Sequence, residues 1–447
     1  MTPLPVLDDA PPCALPGTPL DRAKAGLDLC VHCGFCLPAC PTYVTLEDEN
    51  DSPRGRLVLM HALVDGTLAP DDPDVRRHLD RCLGCRGCET ACPSGVPYGH
   101  LLEATRATLA ERQRPPLVAR LILAVFARPF LLRPALLGAR AFRTTRLPAV
   151  LARALPGRLG FSLAMLASSA PAVRPAGRRT RRWRPRPDAV RGTAALLDGC
   201  VMGGLYAHVH AAARRTLRHH GYRMVRASGQ RCCGALHAHA GDLDTARALA
   251  RANVAAFERA GADVIAVDSA GCGAMMKEYA HLFADDPAWA PRAAAVSARV
   301  RDVTELLAEA GPRPAAGTVR LPNAPDAGPL PVAYDAPCHL LHAQRVALPP
   351  LRVLGAVAGA RLVPLEDADQ CCGAAGIYNL IEPDTSDAVL APKLRHVAAS
   401  GARVVATGNP GCMMQIGAGL LRAGSAARTA HPVELLDAAY AGGDGVR

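Results

Sequence analysis

Aromatic side chains are scarce in this 447-residue chain: seven Phe, eight Tyr and two Trp, 4% of the total. That scarcity argues against single-strand nucleic-acid binding, which needs base-stacking platforms. Long apolar runs are missing too. Outside the cysteine motifs no uncharged stretch reaches the roughly 18 residues of a membrane span. The start, Met1-Thr-Pro-Leu-Pro-Val-Leu-Asp-Asp9, has no basic and no apolar region, so no signal peptide is expected. Without secretion, the 17 cysteines point to metal or redox chemistry before disulfides. No GxGxxG opens a helix after a strand, so dinucleotide chemistry is not expected on this chain.

Half of the chain is hydrophobic, which excludes wholesale disorder, and its length suggests two or three domains. The formal net charge of +11 invites a nucleic-acid reading, but the charge is confined. Residues 1–111 hold 9 basic and 16 acidic side chains, and residues 188–447 hold 25 and 24. Residues 112–187 hold 17 arginines, no lysine and no acid. Within that connector, Leu117–Leu166 mixes apolar runs (Leu121–Phe126, Phe130–Leu132) with regularly recurring arginines. It reads as short basic helices broken by prolines. Ala167–Asp188 is rich in Pro, Ser and Arg and has linker character. Two readings stay open: a solvated arginine-rich linker, or a basic amphipathic surface that docks on anionic lipid or an acidic partner. No base-reading motif accompanies the arginines, so no nucleic-acid partner is expected.

Two motifs carry the strongest chemical signal. Cys30-x2-Cys33-x2-Cys36-x3-Cys40-Pro41 and Cys82-x2-Cys85-x2-Cys88-x3-Cys92-Pro93 are complete copies of the bacterial ferredoxin spacing. Three thiolates spaced by three residues wrap one cubane, while the fourth enters the next helix and reaches the partner cluster. This assigns Cys30, Cys33, Cys36 and Cys92 to one [4Fe–4S] cluster, and Cys82, Cys85, Cys88 and Cys40 to the other. Zinc, which favours two well-separated CxxC pairs, fits this spacing poorly. Ser52 reads as an N-cap with Pro53 at the first helical position, followed by Leu57, Met60, His61 and Val64 at helical spacing. Tyr98–Arg112 reads as another helix with Leu101, Leu102, Thr105 and Leu109 on one face. His32 and His61 read as surface or packing residues, and Cys13 as a bystander.

The remaining eight cysteines form an internal duplication. Cys200, Cys232-Cys233-Gly234 and Cys272 recur as Cys338, Cys371-Cys372-Gly373 and Cys412, at offsets of 138, 139 and 140. Apolar runs precede the first cysteine (Ala194–Leu197, Pro331–Tyr334) and the last (Val264–Val267, Val404–Ala406) of each set. Thr245–Ala260 and Ser386–Ser400 read as helices, so each half is a βαβ-type unit with its cysteines at the carboxyl ends of strands. Adjacent cysteines reach one centre only on a turn, which the following glycine permits. An iron–sulfur cluster or redox-active thiols are favoured; zinc and structural thiols stay open for these sets. The expected fold is α+β. A mainly helical ferredoxin-type domain (1–111) is followed by a basic helical connector and linker (112–190) and a first α/β cysteine-rich domain (191–310). A Pro-rich linker (311–331) leads to the second cysteine-rich domain (332–447).

The doubled motif, Ser52-Pro-Arg-Gly-Arg56, Cys82-Leu-Gly-Cys-Arg-Gly-Cys-Glu-Thr-Ala-Cys-Pro-Ser-Gly-Val-Pro-Tyr-Gly99 and the two CCG sets resemble the glycolate oxidase iron–sulfur subunit family. The resemblance implies an electron-transfer subunit with two [4Fe–4S] clusters and a further iron–sulfur or zinc site in the CCG halves. It also implies FAD on flavoprotein partner subunits that oxidise glycolate, and a membrane quinone as acceptor. This subunit would then oxidise no substrate by itself and lie in the cytoplasm, with peripheral contact to the inner face of the membrane. Relatives serving lactate, glycerol 3-phosphate or heterodisulfide reduction are the alternative. In heterodisulfide reductases a fifth cysteine, three residues after the last of each set, helps hold a noncubane cluster; here those positions are Met275 and Gln415. Cys338-His339-Leu-Leu-His342 resembles the family's second repeat, with packing and proton-transfer roles both open for the histidines. Gly34, Gly84 and Gly87 are expected to let backbone N–H groups approach cluster sulfur.

Overall fold

The structure, a computed structural model, describes residues 13–112, 115–175, 190–313, 318–321 and 328–441. The start read for a signal peptide, most of the Pro/Ser/Arg stretch and part of the 311–331 linker lie outside the described residues. Two compact units form: Met1–Pro116 with Ala238–Asp242, and Leu117–His237 with Leu243–Arg447.

The first unit is helical. Ser52 caps helix Pro53–Val64, its hydroxyl accepting the Gly55 N–H at 2.9 Å. The expected stripe follows: Leu57, Met60 and Val64 are buried, and His61 is half-buried. Helix Tyr98–Arg112 turns Leu101, Leu102, Thr105 and Leu109 into the same core. Each such apolar side chain stabilises the fold by roughly 1.5–3 kcal/mol on full burial. This small core holds the two cysteine loops in place.

The second unit contains the duplication. Its first strand, β1 (Arg174–Pro175), forms a short antiparallel ladder with β6 (Val319–Arg320). Strands β2 (Gly192–Leu196), β3 (Tyr222–Val225), β4 (Val264–Val267) and β5 (Val300–Asp302) form a parallel sheet in the order β3-β2-β4-β5. Strands β7 (Leu330–Tyr334), β8 (Ala360–Val363), β9 (Val404–Ala406) and β10 (Arg428–Ala430) form another in the order β8-β7-β9-β10. The matched orders repeat the duplication in three dimensions. Both sheets are all-parallel and share one core, in which Leu196, Val209 and Leu306 meet Val332, Val404 and Leu435. The expected helices are present as Leu243–Ala260 and Pro383–Ser400.

The connector differs from a solvated linker over its first part. Residues 117–168 form four helices: Leu117–Ala127, Pro129–Thr144, Leu147–Ala154 and Gly157–Ser168. Ala152, Phe161 and Ala164 join a core cluster with Cys372, Cys412 and Ile416. Close packing against helix Pro410–Arg422 depends on Gly417, where a Cβ would lie 2.7 Å from Ser168 Cβ. These helices belong to the second unit.

Candidate metal centres

In the first unit the two loops exchange their fourth cysteine. Cys30, Cys33, Cys36 and Cys92 line one cavity, enclosing about 420 Å³ of empty space partly open to solvent. Cys40, Cys82, Cys85 and Cys88 line a second, of about 280 Å³. Pro53, Cys88 and Tyr98 line both cavities and form the wall between them. The crossing follows from local geometry. Cys40 N-caps helix Pro41–Leu46, and Cys92 ends helix Gly87–Ala91, so each fourth cysteine sits at a helix terminus beyond its own loop. Left-handed His32 and Gly34 turn the first loop; Gly84 and Arg86 turn the second. The Gly84 N–H points at Cys82 Sγ (3.4 Å), and Gly87 opens the helix carrying Cys88. All 17 cysteines are free of disulfides. Cys30, Cys33, Cys36 and Cys92 around the first cavity and Cys40, Cys82, Cys85 and Cys88 around the second, with the shared Cys88 in the wall between, supply the four sulfur donors that each cubane cluster needs. Burial pushes the Cys36 thiol up to about 11 and the Cys88 thiol well above its usual range.

A buried ion network supports the second cavity, and the sequence reading missed it. Arg56, wholly buried, lines that cavity and donates to Asp51 Oδ1 (3.1 Å), Thr42 Oγ1 (3.1 Å) and the His78 carbonyl (2.7 Å). Asp51, also wholly buried, meets Arg81 at 3.0 Å and His78 Nδ1 at 3.1 Å. Thr42 Oγ1 lies 3.2 Å from Cys40 Sγ, and the Tyr98 hydroxyl donates to Cys82 Sγ at 3.6 Å. Burial alone would lower the Arg56 pKa; its interactions with Cys82, Tyr98, Cys40 and Asp51 overcome it and raise it. Asp48, Asp51 and His78 gather ligand-type atoms within 4.8 Å. With two guanidiniums on Asp51, that cluster is a salt-bridge network, not a cation site. The only advance signal was Arg56 itself, inside Ser52-Pro-Arg-Gly-Arg56.

Each CCG set also gathers. Cys200 Sγ and Cys232 Sγ lie 3.7 Å apart, and Cys338 Sγ and Cys371 Sγ 4.0 Å apart. Cys233 contacts Cys272, as Cys372 contacts Cys412. The electrostatics repeat with the geometry. Neighbouring thiols hold Cys232 and Cys371 well below the usual range and push Cys233 and Cys372 well above it. In the first half the turn is pinned by Asn253, which donates to the Cys232 carbonyl (3.0 Å), and by the Tyr279 hydroxyl, which donates to the Cys233 carbonyl (2.8 Å). Asn409, also unforeseen, donates to Cys412 Sγ (3.4 Å) and accepts the Gly271 N–H from the other half (3.2 Å). His339 Nδ1 lies 3.5 Å from Cys338 Sγ, and His342 Nε2 lies 3.3 Å from the Asp369 carbonyl.

Family models match where this geometry lies: a 4Fe-4S dicluster domain over residues 26–96 and a cysteine-rich domain over 194–277 and 332–417. A probable glycolate oxidase iron-sulfur subunit of Bacillus subtilis is 36% identical over 91% of this chain and 92% of its own length. The chain belongs to the glycolate oxidase iron–sulfur subunit family. The Escherichia coli glycolate oxidase iron-sulfur subunit is 34% identical, covering 94% of this chain and 95% of its own. Lactate utilization protein A of Exiguobacterium is 30% identical over 54% of this chain and 96% of its own. In this glycolate oxidase iron–sulfur subunit homologue, position 415 has a structural occupant. Buried Gln415 donates to Ser386 Oγ and accepts from Asn379 Nδ2, both at 2.8 Å. Ser386 in turn donates to the Gly373 carbonyl at 2.8 Å. A hydrogen-bonded amide thus holds the second CCG turn where the heterodisulfide branch has a fifth sulfur ligand. Met275, its counterpart, is buried.

Proposed function

We propose that this chain is the iron–sulfur relay subunit of a flavin-dependent dehydrogenase for glycolate or a related D-2-hydroxy acid. The observation that carries the reading is the exchange of fourth cysteines between two cavities that share a wall. Cys30, Cys33, Cys36 and Cys92 would hold one [4Fe–4S] cluster, and Cys82, Cys85, Cys88 and Cys40 the other. Such clusters supply one-electron steps between a two-electron flavin donor and a later acceptor. The chain's own residues do the rest. Pro53 and Tyr98 form the wall between the cavities, Arg56 puts a fixed positive charge beside the second, Cys82 accepts a hydrogen bond from Tyr98, and Thr42 Oγ1 lies against Cys40 Sγ. The two CCG sets would hold a further iron–sulfur centre, with FAD and the substrate pocket on partner subunits. The complex, and not this chain alone, would oxidise the substrate.

The acceptor we propose is membrane quinone, with this cytoplasmic subunit seated peripherally. Among the described residues no single helix is long and apolar enough to cross a membrane. The helices between 117 and 159 nevertheless expose nine large apolar side chains, Phe130, Leu137 and Val150 among them. They also expose Arg120, Arg128, Arg133, Arg140, Arg146, Arg153 and Arg158 and carry no acid. That combination suits an anionic bilayer surface.

Anaerobic purification of a tagged chain with its partners tests the reading. Expected are about eight irons for the first unit's two cubanes, a reducible EPR signal, co-purifying flavin, and dye reduction driven by glycolate. Mostly zinc, or no flavoprotein, would overturn it. Faster turnover with lactate or glycerol 3-phosphate would reassign the substrate.

A further inference from the structure

Resting on the relay reading, we propose that the loop Val31–Phe35 is the electron port, the face on which the flavoprotein subunit docks. Cys33 alone among the 17 cysteines is exposed, and it lines the first cavity. In the second set Cys40, Cys82 and Cys88 are buried and Cys85 half-buried. Electron exchange between proteins falls steeply with distance, so a donor gains most by approaching the exposed thiolate edge. The surface there is built for contact. Val31 and Phe35 are 67% and 66% exposed, and Leu29 on the approach to the loop is 45% exposed. Val58 is exposed one turn beyond Arg54, whose guanidinium reaches the His32 carbonyl at 3.4 Å. Apolar side chains this exposed, grouped around a redox ligand, mark an interaction site more than chance surface.

The rim selects the occupant. Arg54, bound to the His32 carbonyl, pairs with Glu49 at 2.7 Å and so sets Glu49, with its sequence neighbours Glu47 and Asp48, beside the loop; Asp28 precedes it, and Lys24 is paired with Asp21. A net-negative rim repels an anionic bilayer and favours a protein with a positive rim, which steers encounter and sets register. Electron balance fits that partner. Reduced flavin in the docked subunit would give up two electrons, one at a time, to the cluster held by Cys30, Cys33, Cys36 and Cys92, which would be reduced and pass each electron on, and the flavin's protons would leave to solvent.

The test uses the complex isolated anaerobically through a tag on this chain, comparing wild type with Val31→Asp/Phe35→Glu and with Leu348→Glu. Leu348 is an equally exposed side chain of the second unit. Expected for the double variant are unchanged iron content and unchanged reduction by dithionite, with at least a tenfold loss of co-purified flavin or of glycolate-driven cluster reduction. Wild-type behaviour in that variant, or an equal loss in Leu348→Glu, overturns the port. If the added charges strip iron, carbene footprinting of the unmodified complex replaces the variant. Protection of residues 29–35 relative to the free chain is expected, and a fully labelled loop refutes the proposal. Absence of flavoprotein from the wild-type preparation instead overturns the relay reading, and this proposal with it.

Discussion

Arg54 and Arg56 stand two residues apart on one helix, carry the same charge and should differ sharply in what they contribute. Arg56 and Asp51 both have fully buried side chains, whereas the Arg54 and Glu49 side chains are 33% and 48% exposed. Arg56→Met removes a desolvated cation and leaves Asp51 buried with only His78 and the half-buried Arg81. It also strips a donor from the His78 carbonyl and from Thr42 Oγ1. Breaking a buried pair by removing one partner costs about 3–5 kcal/mol, and each stranded acceptor adds about 1–3 kcal/mol. Partial compensation by Arg81 argues for the low end, about 3 kcal/mol. For a domain of about 100 residues that lowers Tm by on the order of 10–20 °C. Arg54→Met should cost far less, since exposed pairs contribute little and are screened by salt. Paired thermal melts and iron content after anaerobic purification decide the matter. Equal melting of the two variants, with full iron retained in Arg56→Met, would show that the buried network does not hold the second cavity together.

Four other perturbations test separate parts of the structure. At Gly55 a Cβ would meet the Glu49 carbonyl oxygen at 2.0 Å, a backbone atom that cannot move aside. Gly55→Ala should therefore abolish iron loading of the first unit. Gly138→Ala, which meets nothing within 4 Å, should stabilise by about 0.5–1 kcal/mol through helix propensity. Asp302 is buried, and burial pushes its carboxyl up to about 7 despite hydrogen bonds from Thr304. The folded state then holds a proton that the unfolded state has lost between about pH 4 and 7, so this contribution to stability falls as pH rises through that window. Buried His431, held down at about 4 by burial, contributes the opposite slope between about pH 4 and 6.5. The difference between wild type and Asp302→Asn isolates the first term. The variant should gain about 2–3 kcal/mol on wild type between pH 5 and 7 in urea unfolding, and a pH-independent difference would refute the buried protonated acid. Sedimentation with anionic vesicles should show binding that weakens with salt and falls at least tenfold in Phe130→Glu/Leu137→Glu. Binding to neutral vesicles equally well, or to none, would remove the bilayer from the arginine-rich helices.

What was legible in the sequence was local or periodic. The ferredoxin spacing needs only 11 residues per motif, and its eight cysteines line two cavities in the structure. The duplication was readable because its offsets barely drift, and the two sheets share one strand order as a result. Features set by distant partners were not readable. Asp51 meets His78 and Arg81 across 27 and 30 residues, and each of those side chains alone looks like ordinary surface charge. The connector's helices were readable and their packing was not, for a related reason. Its arginines point to solvent in any local reading, while the seam of Ala152, Phe161 and Ala164 has meaning only beside helix Pro410–Arg422 and its Gly417. Gln415 shows how far local reasoning reaches. Sequence alone shows that a fifth sulfur is missing there, but only the chain from Asn379 through Gln415 and Ser386 to the Gly373 carbonyl shows what took its place. A position that supplies a ligand in one branch here fixes the shape of the turn bearing the remaining ligands. Gln415→Cys should therefore loosen the Cys371-Cys372-Gly373 turn before it could add a ligand.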